Sequence, residues 1–166
     1  MKHNFRTYIL VLFGILVPLC VQSAVQYSAA VTNNKQNQIE ATILTSPHLV
    51  IYSGSAPANC AANETGGAST ILADMVLPPD WLGASSAGVV AKAGTWQDTG
   101  ADNTGAAAHF RVLSASGINT TTGQPCGIQG TITATGGGGD ITLDNTSIAA
   151  AQSVTISTFT ITAGNQ

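Results

Sequence analysis

Apolar and polar positions divide the chain into three stretches. Tyr8–Leu19 is an apolar run broken only by Gly14 and Pro18; Lys2 and Arg6 precede it and polar residues return at Gln22. A basic start, a short apolar run and a small-residue end (Ser23, Ala24) form the signature of a secretory signal. The run is shorter than the ~20 residues that cross a bilayer. Cleavage after Ser23 puts Val21 and Ser23 at the two small-residue positions, whereas cleavage after Ala24 puts Gln22 at one of them. Leu19 is too large for the site that would make Cys20 a lipoprotein cysteine. Residues 1–24 therefore read as a signal-peptide-like leader. The alternative is an upstream over-extension of the gene, with Val25 as the initiator.

Residues 25–46 predict an N-terminal helix. Ser28–Leu44 holds Ala29, Ala30, Lys35, Gln36, Gln38, Glu40 and Ala41, mostly good helix formers, with Ser28 as cap and Pro47 as stop. Its apolar stripe is weak, so the helix needs a partner to dock on.

Residues 47–166 read as strands and turns. Leu49–Tyr52 is a compact apolar run. Thr70–Leu77 puts Ile71, Ala73, Met75 and Leu77 on one face. Val89–Trp96 is a third strand. Ala107–Leu113 alternates, with Ala108, Phe110 and Val112 inward and His109 and Arg111 outward. Gly127–Thr133 and Ile141–Leu143 follow. In Ser153–Thr162, Val154 and Ile156 take one phase and Phe159 and Ile161 the other, which predicts a bulge near Ser157–Thr158. Short strands with Gly-, Asn- and Ser-rich connections predict an all-β fold, an antiparallel β-sandwich or jelly roll. The long connections 54–69 and 97–106 are the expected places of partner contact.

Composition narrows the function. Charged residues are 8% of the 166, against ~25% in an ordinary soluble protein. Without residues 1–24 three basic groups (Lys35, Lys92, Arg111) face eight acids, a net charge of −5. No basic patch exists to neutralise phosphates, so nucleic-acid binding is not expected. Charge-rich disorder and coiled coil are excluded as well.

No catalytic, cofactor or metal constellation emerges. After the leader only His48 and His109 remain, neither near a Gly-x-Ser-x-Gly elbow. Both read as satisfied or solvated surface histidines. Asp98, Asp102 and Asn103 form an oxygen-rich loop that reads as a hydrogen-bonded turn rather than a calcium site. Gly136–Gly139 lacks the Lys-Ser/Thr of a phosphate loop and reads as a flexible or tightly bent hairpin. Trp81 and Trp96 are core residues or, in the competing reading, sugar-stacking platforms. Asn63, Asn119 and Asn145 match the glycosylation acceptor, a match that Thr-rich chains produce by chance. Cys60 and Cys126 are a candidate disulfide if the chain is exported, and two buried thiols if it stays in the cytosol.

Taken in order, these words resemble a known family. The series is Tyr27-Ser28-Ala29-Ala30 with Asn33 and Asn34, then Leu49-Val50-Ile51-Tyr52-Ser53-Gly54 with Pro57, then Ile71-Leu72-Ala73. Ala108-His109-Phe110-Arg111-Val112 and Gly130-Thr131-Ile132 follow. The closing segment is the most specific: Gly138-Gly139-Asp140-Ile141-Thr142-Leu143-Asp144-Asn145-Thr146-Ser147-Ile148, then Val154-Thr155-Ile156 and Phe159-Thr160-Ile161-Thr162. Tyr27–Gly164 thus resembles a family of small tailed-bacteriophage structural proteins encoded among virion and prophage genes. Members of that family start at the Tyr-Ser segment, so the leader is a departure. The resemblance implies an all-β virion component, a capsid decoration (cement) or tail-associated protein, and carries over no catalytic residue.

The expected protein is therefore non-enzymatic and needs no cofactor. Its expected partners are other virion subunits and further copies of itself, with no nucleic acid and, after leader removal, no membrane. Its expected location is the virion, or the periplasm or exterior if the leader is genuine. The alternative is a secreted bacterial β-sandwich adhesin or carbohydrate-binding module. An enzyme ranks third, because the acid–base and metal requirements are unmet.

Overall fold

Ser28 opens the first element. In the computed structural model of the chain, which describes residues 27–64, 69–114 and 126–163, its Oγ accepts the backbone N–H of Val31 at 3.4 Å. Helix α1 (Ala29–Ile43) follows. It stops at Leu44, whose backbone turns left-handed (φ 76) and whose N–H donates to the Glu40 carbonyl at 2.8 Å. The leader 1–24 and Asn119 lie outside the described residues.

The rest of the described chain is strand and turn. In order come β1 (His48–Tyr52), β2 (Ile71–Val76), β3 (Val89–Ala91), β4 (Trp96–Asp98), β5 (Gly105–Ala106) and β6 (His109–Leu113). Then come β7 (Cys126–Ala134), β8 (Ile141–Leu143), β9 (Ser147–Ile148), β10 (Val154–Ile156) and β11 (Thr160–Thr162). The fold is all-β with one helix. A five-stranded sheet runs β2-β1-β6-β7-β8, and three two-stranded ladders join β10 to β4, β11 to β3 and β5 to β9.

One apolar core joins these parts. The sheet contributes Leu49, Ile51, Ala73, Met75, Phe110, Val112, Ile132 and Ile141. The ladders contribute Val90, Trp96, Ile148, Val154 and Ile156, and Phe159 packs against both Trp96 and Phe110. Gly130 faces Phe110 across the β6–β7 pairing. A Cβ there would come within 2.6 Å of the phenyl ring, so glycine makes the room the ring occupies.

Four expectations need correction. First, β7 and β8 pair parallel, Ile132 with Ile141 and Ala134 with Leu143, so the sheet is mixed and the glycine turn is no hairpin. Gly136 (φ 88) and Gly138 (φ 75) supply the left-handed backbone of that return. Second, Val89–Trp96 is two strands with different partners, β3 with β11 and β4 with β10. The phase change at Ser157–Thr158 has the same origin: the chain leaves one ladder and joins another. Third, the one-face reading of Thr70–Leu77 fails at Leu72. A bulge between Ile51 and Tyr52 in the β1–β2 register sends Leu72 into the core and Ile71 to the opposite face. Fourth, His109 is satisfied but is no surface histidine; it and Arg111, on the same outward face, are each 1% exposed. Alternation assigned them to the outer face of β6 correctly, but the loop after β1 lies over that face.

Candidate functional site

Arg111 is the centre of the only cluster of buried charge among the described residues. The β6 backbone aims it outward from the core, beside Tyr52, Val50 and Leu113, and residues 54–64 cover it. Its Nη2 donates to the carbonyls of Cys60 (2.8 Å) and Ala62 (2.9 Å). Its Nη1 reaches Glu64 Oε1 at 3.4 Å. His109 Nε2 meets the same oxygen at 3.2 Å, and its Nδ1 faces the Gly54 carbonyl at 3.3 Å. Each ring nitrogen thus faces an acceptor, and a neutral imidazole donates to one of them. Tyr52 stacks on the imidazole, with centroids 5.1 Å apart and planes within 8°.

Burial pushes the Tyr52 phenol up to about 12, and the Glu64 charge adds to the effect while Arg111 opposes it. Gln129, opposite Arg111 in the β6–β7 register, donates to the Pro57 carbonyl at 2.8 Å. Cys60 and Cys126 are joined as a disulfide, with Cα atoms 5.1 Å apart, which clips the same loop to the start of β7.

The order of these groups decides their chemistry. Ser69 Oγ donates to Glu64 Oε2 at 2.6 Å, and Glu64 Oε1 meets His109. The carboxylate stands between hydroxyl and imidazole. Nucleophilic catalysis needs the imidazole in the middle, taking the hydroxyl proton while the acid orients it. This cluster instead ties a loop to a sheet.

The other sequence candidates are likewise engaged. His48 Nδ1 lies 2.8 Å from Asp74 Oδ1, a partly buried pair that bridges β1 and β2. Burial holds the Asp74 carboxyl above its ordinary range, with His48 opposing. Asp98 Oδ1 accepts Gly100 N–H (2.8 Å), and its Oδ2 accepts the backbone N–H of Asp74 (3.2 Å). Asn103 Nδ2 donates to Ile71 O at 2.9 Å, and the backbone N–H of Asp102 donates to Leu72 O at 2.8 Å. The oxygen-rich loop therefore occupies the free edge of β2, where strands otherwise recruit neighbours. Among the described residues no group of three or more His, Cys, Asp or Glu side chains is placed to hold a metal. Trp81 and Trp96 are both fully buried, 6.0 Å apart, and Trp96 continues to Phe159 at 5.3 Å. They pack the core and offer no platform to a sugar. Asn63 and Asn145 are exposed, and Asn145 Oδ1 accepts Ser147 N–H at 2.9 Å.

Sequence reading missed how α1 docks. Asn33 accepts Gly88 N–H (2.8 Å), Asn37 accepts Ser85 N–H (2.9 Å), and Glu40 accepts the N–H groups of Trp81 (2.7 Å) and Leu82 (3.1 Å). Buried Gln36 donates to the carbonyls of Gly88 and Ile161, each at 3.1 Å. Positions 33, 36, 37 and 40 have the i, i+3, i+4, i+7 spacing of a helix face, written in amides and a carboxylate. Beside them lies a cavity of about 330 Å³ lined by Gln36, Asn37, Glu40, Asp80, Leu82 and Val90.

Comparison of the chain with protein-family models, with curated proteins and with solved structures finds no match. No helix among the described residues is long and apolar enough to cross a membrane.

Proposed function

We propose that this chain is a non-enzymatic structural protein of a tailed-phage virion or prophage, a capsid decoration (cement) or tail-associated protein. Its β fold is read as a sandwich or jelly roll, with the ladders stacked on the inner face of the five-stranded sheet. The observation that carries this reading is the use made of buried charge. Glu64, His109 and Arg111 are spent on fixing a loop to the sheet, which supports a rigid scaffold that works by contact. The ordered resemblance of Tyr27–Gly164 to phage structural proteins supplies the class. Decoration adds contact across subunit junctions, and stable interfaces bury ~1,200–2,000 Å² in total. Mass spectrometry of purified particles is the test. The reading expects the chain in stoichiometric amount and binding of purified protein to capsids or tails; a monomer missing from particles refutes it.

The Cys60–Cys126 bond favours a second reading, a secreted β-sandwich adhesin or carbohydrate-binding module, because such bonds persist in oxidising compartments. N-terminal sequencing separates the two. Periplasmic protein beginning at Ala24 or Val25 supports secretion, and a formyl-methionine encoded at position 25 excludes it.

A further inference from the structure

The joint between α1 and β1 is strained. Leu44 (φ 76) and Ser46 (φ 52) both lie in the left-handed region, which side chains with a Cβ disfavour. Pro47 follows directly and cannot continue a helix. Two large apolar side chains flank this joint in the open: Leu44 and Val76 are each 60% exposed. Val76 pairs with His48, the second residue after Ser46. The helix itself is held by hydrogen bonds to backbone groups of the Trp81–Gly88 segment and by Ile43 and Ile39, which pack on the apolar core. Those groups are identical in every copy, so the helix of a second copy fits the same seat.

We propose that α1 is an exchangeable arm whose partner is a second copy of this chain. The joint extends, each helix docks on the neighbour's Trp81–Gly88 segment, and Leu44 and Val76 are covered in the new contact around the extended joints. The bonds that Asn33, Gln36, Asn37 and Glu40 make are remade, strain at two residues per chain is released, and apolar surface is buried. Loss of independent motion opposes the exchange. Short hinges under strain favour such swaps. The inference does not rest on the virion reading, since a secreted module would exchange the arm equally.

A double variant of the full chain, Asn37→Cys with Ser85→Cys, tests it. The Asn37 side chain accepts the Ser85 N–H at 2.9 Å, so the two thiols meet wherever the helix is seated. The chain is equilibrated across a concentration series and then treated with a short thiol cross-linker. Exchange gives a covalent dimer linked 37 to 85 whose share rises with concentration. Leu44→Gly, which accepts φ 76 without strain, lowers that share about ten-fold. Links within one chain at every concentration overturn the proposal, and association through any other surface leaves the link within one chain. If the cysteine pair prevents folding, light scattering of the natural chain against Leu44→Gly with Ser46→Gly decides. Tighter self-association of the natural chain supports exchange, and equal association refutes it. An exchanged dimer found in protein that is absent from particles removes the virion reading alone.

Discussion

The carboxylate of Glu40, on α1, accepts the backbone N–H of Trp81 at 2.7 Å, and the indole of Trp81 returns a hydrogen bond to the Leu44 carbonyl at 3.2 Å. One tryptophan thereby anchors the end of the helix to the centre of the core. Glu40→Ala leaves two backbone donors without their charged acceptor and is expected to destabilise the fold by about 2–3 kcal/mol. Glu40→Gln keeps an acceptor and is expected to cost about half as much. Urea denaturation of the two variants measures the difference.

Arg111→Met removes the donors for Cys60, Ala62 and Glu64 and leaves the Glu64 carboxylate without its permanent positive partner. Breaking a buried pair from one side costs about 3–5 kcal/mol. Adding Glu64→Gln is expected to recover about 1–2 kcal/mol, since the residues couple. Hydrogen exchange should quicken across residues 54–64 in the single variant and change little in β10 and β11.

The disulfide spans 66 residues of sequence. Closing a loop of that length removes unfolded-state entropy worth about 4 kcal/mol. Cys60→Ser with Cys126→Ser should therefore lower the unfolding free energy by that amount, read in denaturant melts. A bridge that is unformed in the isolated protein would leave the melts unchanged.

Two aspartates give opposite pH signs. Asp140 accepts both the backbone N–H and the hydroxyl of Thr131 at 2.8 Å, which holds its carboxyl below the ordinary range. Its contribution is complete above the ordinary carboxylate pKa and is lost as pH falls through the lowered value. The stability gap between the natural chain and Asp140→Asn should narrow on acidification from about pH 5 to about pH 3. Asp74 is raised by burial, so its contribution is present below the ordinary value and lost as pH rises through the raised one. Asp74→Asn should shift the balance in the reverse direction.

Much of this architecture is legible in the chain. Ser28 and Pro47 bound the helix because capping and ring geometry act over a few residues. Phe110 and Val112 face the core because a buried face requires period two. What escaped has a common cause. His109 and Arg111 lie on the opposite phase, and alternation separates two faces without saying what covers the second. A loop reaching back from residues 54–64 covers it, and Glu64 bore no local sign of its role. The helix face at 33, 36, 37 and 40 carries no apolar signal because its work is hydrogen bonding. Two-residue strands such as β5 and β9 are too short for any period to show, and the edge of β2 is closed by the Asp98 carboxylate and by backbone and side-chain donors of Asp102 and Asn103 rather than by a strand ladder.

The parallel pairing of β7 with β8 changes how the sheet can assemble. Parallel neighbours ordinarily wait for a crossover of a dozen or more residues. Here Ile132 meets Ile141 nine residues later, through the glycine turn. The entropy of closing so short a loop is small, so this edge can zip at about the speed of a hairpin. β1 must instead find β6, with His48 opposite Leu113 across 65 residues. The rate of folding should follow the distant encounter, and the glycine turn should matter to the native state more than to the climb towards it.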